Sequence, residues 1–225
     1  MMQSIEPLPD APVLNRVALP DGIIPYFAQD VSFVINQLAV VNMADPHHLL
    51  TGRMDLERAG IFGISAGGEN GAEGCLKDSR LKACLIMDVW IPADVVEASL
   101  RQPTMFITRD AATMRLERQL SGGWTEKEIA LTLDTMRALY ERLPGDGYYL
   151  QILNMFHINF TDVPAWSPIT SQLGRTGPIN IQRGFDIVNA YTLAFFDQYL
   201  ISHPSPLLNG PSKQYPEVTF ESRHH

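Results

Sequence analysis

Gly63-Ile64-Ser65-Ala66-Gly67 is a Gly-x-Ser-x-Gly pentapeptide whose flanks suit chemistry at the serine. The apolar run Ala59 to Ile64 predicts a buried strand, and the small-residue stretch Ala66 to Cys75 predicts the opening of a helix. A serine on the sharp turn between them sits at a strained, exposed tip, and the two glycines let the backbone pass close to its neighbours. A serine hydroxyl is a poor nucleophile until a base takes its proton. A neutral histidine can do so near pH 7 and return the proton to a leaving group. A carboxylate can hold that imidazole in the working tautomer. His157 is the only histidine between residues 49 and 202, so the base has little competition. The acid has two contenders, Asp88 and Asp110, each just past an apolar run, and strand position favours Asp110. The Ala66 N–H, next after the serine, is the first candidate donor to an oxyanion.

These groups need a frame. Four apolar runs, Ala59 to Ile64, Leu81 to Met87, Pro103 to Thr108 and Gly147 to Leu153, alternate with helical patterns. That arrangement predicts an α/β fold with a mostly parallel sheet covered on both faces. Active sites in such sheets collect at the carboxyl ends of the strands, where Ser65, both aspartates and His157 all fall. Val31, Val34, Ile35, Leu38 and Val41 predict a helix from Phe27 to about Val41. A long helix starts at Thr125, with Glu128 completing a capping box. It buries Ile129, Leu133, Met136, Tyr140 and Leu143, and it stops at Pro144-Gly145. A last helix runs from about Arg183 to Leu200. Residues 1–26 read as an irregular segment, with weak strand character only at Val13 to Leu19. Residues 111–146 read as a helical insertion or flap beside the site. The whole chain, 1–225, reads as a single domain.

The chain has 225 residues, 45% hydrophobic and 19% charged, with a formal net charge of −8. No Lys/Arg run is present, which argues against a nucleic-acid partner. No apolar run reaches the roughly 18 residues of a membrane span. The start lacks the basic and apolar regions of a signal peptide. Cys75 and Cys84 lie in apolar surroundings and are expected as two buried free thiols rather than a disulfide. No His or Cys cluster accompanies them, so neither a metal nor a cofactor is expected.

Three stretches together carry a family resemblance: Gly63 to Gly67; Leu85-Ile86-Met87-Asp88-Val89-Trp90; and Phe156-His157-Ile158-Asn159-Phe160-Thr161-Asp162. They resemble the platelet-activating-factor acetylhydrolase branch of the α/β-hydrolases, nearest its bacterial carboxylesterase-like members. In that branch the acid ends an apolar strand in Asp-x-Trp, 23 residues after the nucleophile, as Asp88 does here. The base lies in His-x-Asn-Phe-x-Asp, as His157 does. The resemblance therefore implies an α/β-hydrolase fold with Ser65 as nucleophile, Asp88 as acid and His157 as base, and leaves Asp110 without a catalytic role. It implies a serine carboxylic-ester hydrolase that takes short-acyl or lipid esters through an acyl-enzyme, with Ala66 in the oxyanion hole. Trp90, Phe156, Phe160 and Trp166 are its candidate pocket walls. The likeness runs from about residue 27 to the C-terminus, with Ile64 standing where these enzymes usually have His. Complete members carry several strands before the elbow strand, whereas only 64 residues precede Ser65. The chain thus reads as N-terminally shortened, with a sheet edge that a homo-oligomer is expected to cover. The alternative is a catalytically impaired chain acting as a binding or assembly subunit.

Overall fold

Leu81–Met87 is buried at every position but Lys82, as a central strand covered on both faces must be. It is β2 of a five-stranded sheet in the order β1 (Ala59–Ile64), β2, β3 (Thr104–Thr108), β4 (Gly147–Ile152), β5 (Val218–Arg223). The first four strands are parallel, and β5 runs antiparallel to β4. The computed structural model describes residues 24–167 and 169–224, so the weak strand expected at Val13 to Leu19 lies outside the described residues. The four parallel strands match the four apolar runs of the sequence. The fifth does not follow from those runs, because only Val218 and Phe220 face inward while Thr219 and Glu221 face solvent.

Helices connect the strands. They are α1 (Ile24–Met43), α2 (Ala66–Lys77), α3 (Ala93–Ala98), α4 (Ala111–Ser121), α5 (Glu126–Arg142), the short α6 (Val163–Trp166) and α7 (Ile169–Gln172), and α8 (Ile181–Leu200). The first helix starts at Ile24, inside the segment expected to be irregular. The Thr125 capping box is present: Thr125 Oγ1 accepts from Glu128 N–H at 3.2 Å, and the Glu128 carboxylate accepts from Thr125 N–H at 2.7 Å. Residues 111–146 are the β3-to-β4 connection, which buries Met114 and Met136 completely.

Strand pleating divides the core in two. On one face Leu85, Met87, Met105, Ile107 and Leu150 pack against Ile187, Tyr191 and Phe195 of α8. On the other, Cys84, Ile86, Phe106 and Tyr149 pack under Ala72 of α2 and Met136 and Leu139 of α5. This second layer overturns the expectation of free thiols. Cys75 on α2 and Cys84 on β2 form a disulfide, with their Cα atoms 6.6 Å apart. That separation is within bridging range, and it exists because α2 folds back across the next strand.

The two sheet edges differ. At β5, Glu221 pairs with Arg137 of α5 at 2.7 Å, and the exposed positions are polar. At β1, which pairs only with β2 among the described residues, Phe62 is 62% exposed. An apolar groove of about 640 Å³ lies between β1 and α1, lined by Phe27, Val31, Val34, Leu38 and Ile61.

Candidate active site

The turn from β1 into α2 places Ser65. Its backbone has φ +55° and ψ −134°, a strained conformation for a residue with a side chain. The turn closes so tightly that a Cβ on Gly63 would stand 2.3 Å from the Gly67 carbonyl oxygen, which only glycine tolerates. Ser65 N–H donates to Met87 O at 3.1 Å, and Ser65 O accepts from Gly68 and Glu69 N–H at 2.7 and 3.1 Å. The nucleophile candidate is thus fixed to the sheet on one side and to the first turn of α2 on the other. The N–H groups of Ala66 and Gly67, ahead of those of Gly68 and Glu69, have no preceding turn to accept from them and lie at the positive end of the helix.

Asp88 follows β2 directly and is completely buried. Oδ1 accepts from Thr108 Oγ1 at 2.9 Å and Arg109 Nε at 3.0 Å. Oδ2 lies 2.9 Å from Arg109 Nη2 and 2.6 Å from His157 Nδ1. Burial by itself pushes this carboxyl up, but the Arg109 charge and the His157 contact outweigh it and hold it at about 2. Asp88 is therefore ionised, and a carboxylate at Nδ1 selects the imidazole tautomer that leaves Nε2 free to accept a proton. Asp110 is placed otherwise. Its carboxylate caps α4, accepting from Thr113 N–H at 2.9 Å and Thr113 Oγ1 at 2.6 Å.

His157 opens a short 3-10 turn, His157–Phe160, after β4. Asn159 holds that turn: its buried Oδ1 accepts from Phe156 N–H at 2.9 Å and Gly177 N–H at 2.8 Å. Ser65 Oγ makes no hydrogen bond to His157 among the described residues, and such bonds commonly tighten only around substrate.

Three further residues complete the arrangement. Arg109 is wholly buried and bridges Asp88 to Glu117 on α4. Glu117 Oε2 also accepts the His157 backbone N–H at 3.2 Å. Trp124 lies against Arg109 and His157, with the Arg109 guanidinium 4.5 Å from its ring centre and the His157 ring edge-to-face with it, 5.1 Å between centres. Trp124 has φ +53°, a strained value for a bulky residue, at the end of Gly122-Gly123. The Gly-Gly pair was the one signal of this turn in the sequence. Nothing local marks Arg109 or Glu117, because their partners lie 8 to 40 residues away.

A pocket of about 240 Å³ lies against Ser65, lined by Glu69, Asp88, Trp90, Trp124 and Glu128 among others. Of the four aromatic wall candidates only Trp90 belongs to it. Phe156 and Phe160 are corrected to core residues: the turn that presents His157 turns these rings inward, and Phe160 packs in the layer under α8. Trp166 is 84% exposed at the end of α6, away from the pocket lining.

A mostly parallel sheet, helices on both faces and a strained serine between the β1 strand and its helix define the α/β-hydrolase fold. The chain is 27% identical over 206 residues to a probable 1-alkyl-2-acetylglycerophosphocholine esterase of Arthroderma benhamiae, covering 85% of this chain and 47% of that one. It superposes on a ferulic acid esterase from Streptomyces cinnamoneus with a TM-score of 0.65 and 26% identity, covering 91% of this chain and 56% of that one. Both relatives are carboxylic ester hydrolases, consistent with the α/β-hydrolase esterases that the sequence resembles. The chain spans about half the length of the relatives it matches. No family model matches it. Among the described residues no helix is long and apolar enough to cross a membrane. No group of metal-ligating side chains occurs among them either.

Proposed function

We propose that this chain is a serine carboxylic-ester hydrolase working through an acyl-enzyme. The observation that carries the reading is the 2.6 Å contact of Asp88 Oδ2 with His157 Nδ1, beside a strained Ser65 on the same rim of the sheet. Ser65 Oγ attacks the ester carbonyl while His157 Nε2 takes its proton. The negative charge that develops on the carbonyl oxygen is met by the Ala66 N–H and the positive end of α2. His157 then protonates the departing alkoxide, and water deacylates the serine by the same steps with His157 again as base. Asp88 stays ionised throughout and stabilises the imidazolium. The acetyl ester of a glycerolipid named for the Arthroderma relative suggests short-acyl or lipid esters as the substrate class.

Purified chain is assayed with p-nitrophenyl acetate beside Ser65→Ala. Loss of turnover in the variant supports the reading, and equal turnover in both proteins, or none in either, overturns it. A second reading, a folded binding or assembly subunit, rests on the chain's spanning only about half the length of its relatives, and inactivity of the wild-type chain in this assay selects it. The apolar β1 edge with its groove supports a homo-oligomer in which a second copy covers that edge. A light-scattering mass of one chain counts against the oligomer.

A further inference from the structure

Glu69 lies one helical turn beyond Ser65 and lines the same pocket. It is 8% exposed, and its carboxyl has no hydrogen bond or ion pair among the described residues. A buried carboxyl without a partner is costly unless something else meets it. The other ionisable groups around this pocket are already accounted for. Asp88 is matched by Arg109 and His157, and Arg109 divides its charge between Asp88 and Glu117. Glu128 is held ionised at the rim by the Thr125 N–H. Glu69 and Glu128 thus leave the wall with an excess of acceptors and no cation of its own. The remaining wall is the two indoles, Trp90 and Trp124, together with Val89, Leu131 and Thr132. Trp124 already carries the Arg109 guanidinium on one face, and Trp90 carries no cation among the described residues. Acidic groups set among indole rings are the chemistry that recognises an ammonium group.

We propose that the pocket beside Ser65 is a cation subsite, selecting esters that carry an ammonium group close to the scissile carbonyl. The proposal rests on the ester-hydrolase reading and names the substrate class of that site. At about 240 Å³ the space is smaller than drug-sized sites, which run from roughly 300 to 1,000 Å³, so it suits a small head such as trimethylammonium. A phosphate beside the carbonyl would face Glu69 and Glu128 and is disfavoured. Burial raises the Glu69 carboxyl to about 7. A cation beside it favours the ionised form, so the preference for cationic esters strengthens as pH rises through 7.

The test compares acetylcholine with its uncharged isostere 3,3-dimethylbutyl acetate, as the ratio of their kcat/KM values, in wild type and Glu69→Gln. The expected wild-type ratio at pH 8 is about tenfold or more, falling below pH 7, and in Glu69→Gln it drops about tenfold and loses its pH dependence. Calorimetric titration with tetramethylammonium reads the subsite without turnover, and binding to wild type but not to Glu69→Gln is expected. A ratio near one with both esters hydrolysed overturns the cation subsite and leaves the esterase reading standing. An unchanged ratio in Glu69→Gln also overturns it, as does the absence of tetramethylammonium binding to wild type. Tetramethylammonium binding that depends on Glu69, with neither ester hydrolysed, supports the subsite and counts against the esterase reading instead.

Discussion

On the acid–base flank of the pocket, Asp88 accepts from Thr108, Arg109 and His157, and Glu117 holds both Arg109 and the His157 backbone. On the nucleophile flank, Ser65 is fixed only through its backbone, and Glu69 one turn further on has no side-chain partner among the described residues. Both flanks bury a carboxyl, and the two behave oppositely: Asp88 is held at about 2, and Glu69 is raised to about 7. A buried charge persists only where the surroundings supply opposite charge and donors. One flank is therefore self-sufficient, while the other is left to be completed by what enters the pocket.

Four measurements break or sharpen that contrast. Removing the proposed nucleophile is the largest expected effect: Ser65→Ala lowers kcat/KM for p-nitrophenyl acetate by about 10⁶-fold, by analogy with hydrolases in which one member of the triad is removed. Removing the proposed acid comes next. Asp88→Asn lowers it by about 10⁴-fold, because the amide turns the imidazole to the wrong tautomer. Asp110→Asn stays within about twofold, since Asp110 only caps α4 and asparagine caps nearly as well. If Asp110→Asn alone is crippled, the acid is misassigned.

The third measurement is on stability. Arg109→Met strands Asp88 and Glu117 without their cation. It is expected to cost about 3–5 kcal/mol in a urea unfolding series, with activity lowered too. A loss under about 1 kcal/mol means that the flank is not built around Arg109.

The smallest effect is a slope. Glu69 titrates near 7 folded and near 4.5 unfolded, so the folded state holds the extra proton. Its contribution is fully present below about pH 4.5 and is lost as pH rises to 7, at most about 3 kcal/mol. Glu69→Gln removes that decline from the urea midpoint. Asp88, with its carboxyl depressed, contributes stability above about pH 4 that is lost only as pH falls through 2, so it leaves this window flat.

Much of the frame was legible locally. The strands β2, β3 and β4 are near-continuous apolar runs because both their faces are covered, whereas β1, expected as a buried strand, exposes Gly60 and Phe62 at the edge. The helix α5 announces itself through the Thr125 capping box. The strand β5 escaped because an edge strand needs only two inward residues, Val218 and Phe220. The disulfide escaped because nothing near Cys75 or Cys84 says that α2 lies over β2. At the site, Asp88 and His157 were legible as motifs. The aromatic walls were misread because an aromatic beside a functional histidine is as readily core as pocket: Phe156 and Phe160 went inward, and Trp124, reached by the Gly122-Gly123 turn, took the position over the histidine.

By itself the sequence determined the order and type of the elements that carry Ser65, Asp88 and His157, since hydrophobic period, glycine and caps act over a few residues. Only the tertiary structure decided which groups share a charge. Arg109 pairs across to Glu117, Trp124 lies over Arg109 and His157, and Glu69 is left facing the pocket without a partner among the described residues. Electrostatic energy depends on distance and burial, and neither is set by neighbours along the chain.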